Sequence, residues 1–163
     1  TCYHGGQPGV SDAFASALWA ADYLLLLAQS GCAGVNLHGG GEGYYAPITG
    51  EPNATKLRPE YYGMLLAQQF AGATFVNASV SEVSDGVNAY AARQGDTVLL
   101  AVVNKTASPL HLRSQHIKAA ASEQRVLTAS SLDSKEDVHI AKLKGPTALE
   151  VPAYSAALWE TSA

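Results

Sequence analysis

The chain has 163 residues, 47% of them hydrophobic, enough for a sizeable core with an appendage. Ten Lys and Arg against fourteen Asp and Glu leave a net charge of -4, and the basic residues are scattered, so no basic stripe offers itself to nucleic acid. The longest strongly apolar run, within residues 17–28, is broken by Asp22 and is shorter than the about 20 apolar residues of a membrane span.

A loop, Tyr3-His4-Gly5-Gly6, leads into a helix expected from Ser11 to about Gln29. Ser11 suits the N-cap and Asp12 the first turn, where the helix dipole favours negative charge. Phe14, Leu18, Trp19, Ala21 and the Leu24–Leu27 run cover more than one face, so the helix is expected to pack on several sides with Trp19 and Tyr23 in the core. Gly31 provides the C-terminal stop. Cys2 and Cys32 flank the helix, whose ends lie roughly 30 Å apart; two free thiols are expected.

A short strand is expected over Gly34–His38, buried between helices and a barrel interior, followed by a glycine-rich loop, Gly39 to Tyr45, and a second helix from about Pro59 to Phe70. Helix, strand, loop and helix have the rhythm of a (β/α)8 TIM barrel. The chain opens at Thr1 within what reads as mid-domain, which leads to the expectation of an excised or processed piece whose barrel front is missing. Composition shifts after Gly72. Runs 74–80, 87–93, 97–103, 109–113, 124–129 and 147–159 are β-branched or alternating, while 114–123 and 130–146 read as loops, the latter with room for a strand at 138–143. The expected architecture is thus α/β plus all-β: residues 1–72 as the C-terminal part of a catalytic barrel and residues 73–163 as an antiparallel β-sandwich.

In such barrels the active site is built at the C-terminal ends of the strands and in the loops that follow. That rule selects His38, the 39–45 loop and the Tyr3–Gly6 loop. Glycine lets a backbone N–H approach a ligand closely, and tyrosine adds an apolar ring with a hydroxyl. Glu42 is the one tempting carboxylate, yet a retaining pair needs two carboxyls about 5–5.5 Å apart and its loop offers no second; it reads as a solvated loop residue, and His38 as a hydrogen-bonded supporting one. His111, His116 and His139 lack metal-ligand spacing, and no zinc, P-loop, dinucleotide or serine-nucleophile signature occurs, so neither metal nor cofactor is expected. Three glycosylation acceptors, Asn53-Ala-Thr, Asn77-Ala-Ser and Asn104-Lys-Thr, mildly favour secretion, and a secreted or periplasmic location is expected.

The run from Tyr3 to Trp19 resembles glycoside hydrolase family 79, the β-glucuronidase and heparanase family. So do Gly34-Val-Asn-Leu-His-Gly-Gly, the Gly43-Tyr44-Tyr45 loop, Pro59-Glu-Tyr-Tyr-Gly-Met-Leu-Leu and the C-terminal Val151-Pro-Ala-Tyr-Ser-Ala-Ala-Leu-Trp-Glu. The likeness is dense over 3–70 and patchy between about 107 and 146. It implies a retaining hydrolase of β-linked glucuronides with two catalytic glutamates, both upstream of Thr1. No catalytic residue is then expected here, and the chain alone would be catalytically incomplete, with the upstream barrel segment as partner and a glucuronide as ligand. By the same resemblance, Tyr3 contacts the sugar beside the nucleophile, Gly5 and Gly43 present backbone N–H groups to the glucuronate carboxylate, and Tyr45 or Tyr44 adds a hydroxyl. A related retaining glycosidase acting on a neutral sugar, or a non-catalytic β-sandwich carbohydrate-binding module, are the alternatives.

Overall fold

The computed structural model describes residues 4–39, 43–81, 85–114, 117 and 122–162. The chain divides into two units, one of residues 1–68 with 129–139 and one of residues 69–128 with 140–163.

The first unit is built on helices α1 (Phe14–Gln29) and α2 (Pro59–Ala67), with a short antiparallel pair, β1 (Ile48–Thr49) and β2 (Lys56–Leu57), between them in sequence. A 3-10 turn, Gln68–Phe70, follows α2. At the end of α1, Gly31 takes φ 88°, its N–H donating to the Ala28 carbonyl and that of Cys32 to Leu27. This is the paired closure that a left-handed residue after a helix permits.

The start of α1 differs from expectation. Its N-cap is Ala13, which has no side chain to offer. Ser11 is buried and its hydroxyl instead accepts from the Gln7 N–H at 3.0 Å. The open N–H groups of the first turn are met from far along the chain: Phe14 donates to the Ser134 carbonyl at 2.8 Å and Ala15 to that of Leu132 at 2.9 Å. The excursion 129–139 is held there by ion pairs Lys135–Asp12 at 2.7 Å and Lys56–Glu136 at 2.5 Å. Burial alone would raise the Asp12 carboxyl, but Lys135 and the Gly9 N–H outweigh it and hold the group below its ordinary range.

Phe14, Ala17, Leu18, Ala21 and Leu25 of α1 are buried, whereas Tyr23 and Leu26 are exposed and Tyr23 stacks on half-buried Trp19 with ring centroids 4.9 Å apart. The expectation of Tyr23 in the core is therefore not met. Residues 33–39 form no strand: no described segment runs alongside to supply ladder hydrogen bonds, and Gly34, Asn36 and His38 are exposed. Accordingly no barrel closes among the described residues. No helix there is long and apolar enough to cross a membrane. Cys32 is exposed and unbridged, while Cys2, Gly40, Gly41, Glu42 and His116 lie outside the described residues.

The second unit is a two-layered antiparallel β-structure. Strands β3 (Thr74–Val76), β4 (Val87–Gln94), β5 (Thr97–Asn104), β7 (Ser122–Thr128), β8 (His139–Lys144) and β10 (Ser155–Ser162) form one sheet, ordered β3-β4-β5-β10-β7-β8. β6 (Leu110–Leu112) and β9 (Leu149–Val151) form the other. Ala157 sits opposite both Val102 and Val126, and these three pack with Trp159, Leu149, Val151 and Ile117 in the core between the sheets. Leu99, Ala101, Val103, Ala156, Leu158 and Leu127, on the other face of the large sheet, are also buried. Burial on both faces explains why 97–103 is almost continuously apolar.

The expected single run 147–159 is two strands in different sheets, separated by a turn in which Tyr154 takes φ 45°. Asn104 fixes this corner. Fully buried, it donates from Nδ2 to the carbonyls of Ser108 (2.8 Å) and Pro152 (2.9 Å), and its Oδ1 accepts from the Thr106 N–H and hydroxyl. Both amide hydrogens are thus committed, which makes a glycan on Asn104 incompatible with the fold; Asn53 and Asn77 are exposed.

Candidate functional site

The loop before α1 carries three successive residues in the left-handed region, His4 at φ 54°, Gly5 at 86° and Gly6 at 89°. Glycine is the residue that adopts this conformation without steric cost. At Gly6 space also demands it, because a Cβ would lie 2.9 Å from Ser11 Cβ and 3.1 Å from the Tyr45 ring. The glycine-rich loop returns to the same place. The Tyr44 N–H donates to the Gly5 carbonyl at 2.6 Å, and a Cβ on Gly43 would stand 3.3 Å from that oxygen and 3.6 Å from the Tyr45 ring. His38 meets Tyr45 edge-to-face, with centroids 5.4 Å apart and planes at 82°.

Two segments some forty residues apart thus place Gly5, Gly6, Gly43, His38 and Tyr45 in one cluster. Of the two adjacent tyrosines, it is the Tyr45 ring that lies against Gly6 and His38; Tyr44 is 42% exposed. Tyr3 lies outside the described residues. The cluster offers backbone N–H groups, a phenol and an imidazole. Such a set can bind an anion or a sugar through directional hydrogen bonds, without a formal charge in the first contact. No group of three or more His, Cys, Asp or Glu suited to holding a metal occurs among the described residues.

Sequence reasoning passed over Arg58, which reaches this cluster. Its Nη1 donates to the Gly43 carbonyl, while its own N–H donates to the Pro47 carbonyl at 2.9 Å. The available signal was Pro59, which forces the residue before it into extended backbone; Arg58 has φ -104° and ψ 165°. Glu60, also passed over, is 2% exposed with a carboxyl raised by burial to about 7.

No family model matches the chain, and no curated protein matches it. Solved structures do. An α-L-arabinofuranosidase from Thermotoga maritima shares 14% identity at a TM-score of 0.64, covering 93% of this chain and 39% of its own. The GH51 α-L-arabinofuranosidase of Thermotoga petrophila RKU-1 gives 16% and 0.68, covering 96% of this chain and 39% of its own. The glycoside hydrolase family 30 subfamily 8 xylanase Xyn30A of Clostridium acetobutylicum gives 15% and 0.65, with 93% and 40% covered. At these identities the likeness is one of fold: the chain has the architecture found over about two fifths of the length of glycoside hydrolases.

Proposed function

We propose that this chain is part of a retaining glycoside hydrolase of the β-glucuronidase type and supplies the loops that hold the substrate's carboxylate. The observation that carries the reading is the convergence of Gly5, Gly43 and Tyr45, each matched to a carboxylate-binding position of that family, on one cluster next to His38. A site built to pair a carboxylate leaves its donors unpaired when a neutral sugar takes its place, and this discriminates strongly. On this reading the two glutamates of the retaining pair, and Tyr3's neighbour among them, are supplied by the rest of the enzyme. The exposed Tyr23 and Leu26 of α1 and the largely exposed 34–38 segment are then surfaces that the remaining barrel covers. The two exposed glycosylation acceptors, Asn53 and Asn77, fit a secreted enzyme.

A second reading has its own support: the structures of similar fold include arabinofuranosidases and a xylanase, so a neutral pentoside is the rival substrate. The protein that carries this chain should be assayed on 4-nitrophenyl β-D-glucuronide, β-D-xyloside and α-L-arabinofuranoside. The glucuronide is expected to be preferred in kcat/KM by about 100-fold or more. Preference for either pentoside would sink the glucuronidase reading and favour its rival.

A further inference from the structure

We propose that Arg58 is a positioning residue that sets the Gly43–Tyr45 turn, and through it the sugar-binding face; the substrate part of this inference rests on the glucuronidase reading above. Arg58 is the N-cap residue of α2, and Pro59 holds its backbone extended. From that fixed point it grips both ends of one turn, the Pro47 carbonyl through its backbone N–H and the Gly43 carbonyl through its guanidinium. The Gly43 carbonyl also accepts the Ala46 N–H at 3.1 Å, which closes the turn, and the same peptide unit donates its N–H, that of Tyr44, to Gly5 at 2.6 Å. The Gly43–Tyr44 peptide plane is therefore held from both sides.

Tyr45 follows directly, and its ring rests on Gly6 and against the edge of His38. Rotation of that peptide plane would carry the ring and the Gly43 backbone away from the Gly5 loop together. The bond is half-buried and charge-assisted, which makes it stronger than a neutral hydrogen bond in the same place. Arg58 acts on the carbonyl of Gly43, a backbone group of the loop. It is thus argued to work through the loop and not on the substrate.

Amide hydrogen exchange on the protein carrying this chain tests the local claim without reference to activity. In Arg58→Ala, exchange at Tyr44 and Ala46 is expected to rise by about tenfold or more while Leu66 and Leu158 stay unchanged. Arg58→Lys, which keeps a charged donor, should recover most of the protection. Unchanged exchange at Tyr44 and Ala46, or an equal rise throughout the chain, would overturn the proposal. Kinetics supply the second arm: KM for a β-glucuronide should rise about tenfold with kcat altered by less than about threefold, because the loop binds a group remote from the scissile bond. Loss confined to kcat would contradict a positioning role at the sugar. A wild-type protein inert toward glucuronides would remove the glucuronidase reading, and the exchange result would still decide the role of Arg58.

Discussion

Glu60→Gln should stabilise the protein at pH 8 by about 3 kcal/mol and leave it almost unchanged at pH 4. Glu60 is 2% exposed, in the first turn of α2, and its Oε2 has no hydrogen-bond partner among the described residues. Burial disfavours the charged form and outweighs the opposing pull of the amino terminus, raising the carboxyl from 4.5 to about 7. The sign follows from proton counting. Below pH 4.5 the group is protonated whether the chain is folded or not, and there is no penalty. As pH rises towards 7 the unfolded chain loses its proton first, so stability falls by about 1.4 kcal/mol per pH unit. Above about 7 both states are ionised and the loss is complete. Glutamine cannot ionise, so the slope between pH 4.5 and 7 that Glu60 contributes should vanish. Urea titrations of both proteins at pH 4, 6 and 8 measure it; parallel stability curves for the two would contradict a carboxyl raised by burial.

Gly63→Ala should cost about 3 kcal/mol or more, against the gain of roughly 1 kcal/mol that alanine normally brings to a helix interior. The added Cβ would overlap the Ala17 carbonyl oxygen, and would lie 2.9 Å from the carbonyl carbon and 3.0 Å from Ala20 Cβ. The first obstacle is helix backbone, which cannot swing aside as a side chain can, so α1 and α2 would have to separate. Phe14, Leu18, Leu25 and Leu66, all buried in this unit, would lose packing as they did. The melting temperature followed by far-ultraviolet circular dichroism should drop by roughly 10 °C. A neutral Gly63→Ala would contradict the close crossing of the two helices.

Features that depend on neighbouring residues were legible in the sequence. Gly31 closes α1, Pro59 opens α2, and Gly95-Asp96 turns β4 into β5 at φ 60°. The apolar run 97–103 marks a strand covered on both faces. What was not legible depends on residues distant in sequence. The cap of α1 comes from carbonyls near residue 133, so Ser11, a good local candidate, serves a different turn. Strand character at 34–38 requires ladder partners that the described residues do not supply. Glu60 reads as a first-turn acid suited to the helix dipole, and only packing reveals that it is buried; Gly63 reads as an ordinary helix interior residue until α1 is laid across it. At the candidate site, the two glycine–tyrosine loops could be named from the sequence, but their meeting through Tyr44 and Gly5, and the grip of Arg58 on Gly43, belong to the folded chain.

Calorimetric titration with D-glucuronate and with D-glucose tests most directly whether the cluster around Tyr45 recognises a sugar carboxylate. The protein carrying this chain should bind glucuronate in clear preference to glucose, and Tyr45→Phe should weaken glucuronate by about tenfold while leaving glucose unaffected, since the proposed function gives the phenol hydroxyl to the carboxylate. Equal affinity for the two sugars, or a Tyr45→Phe protein that binds glucuronate as well as the wild type, would contradict carboxylate recognition by this cluster.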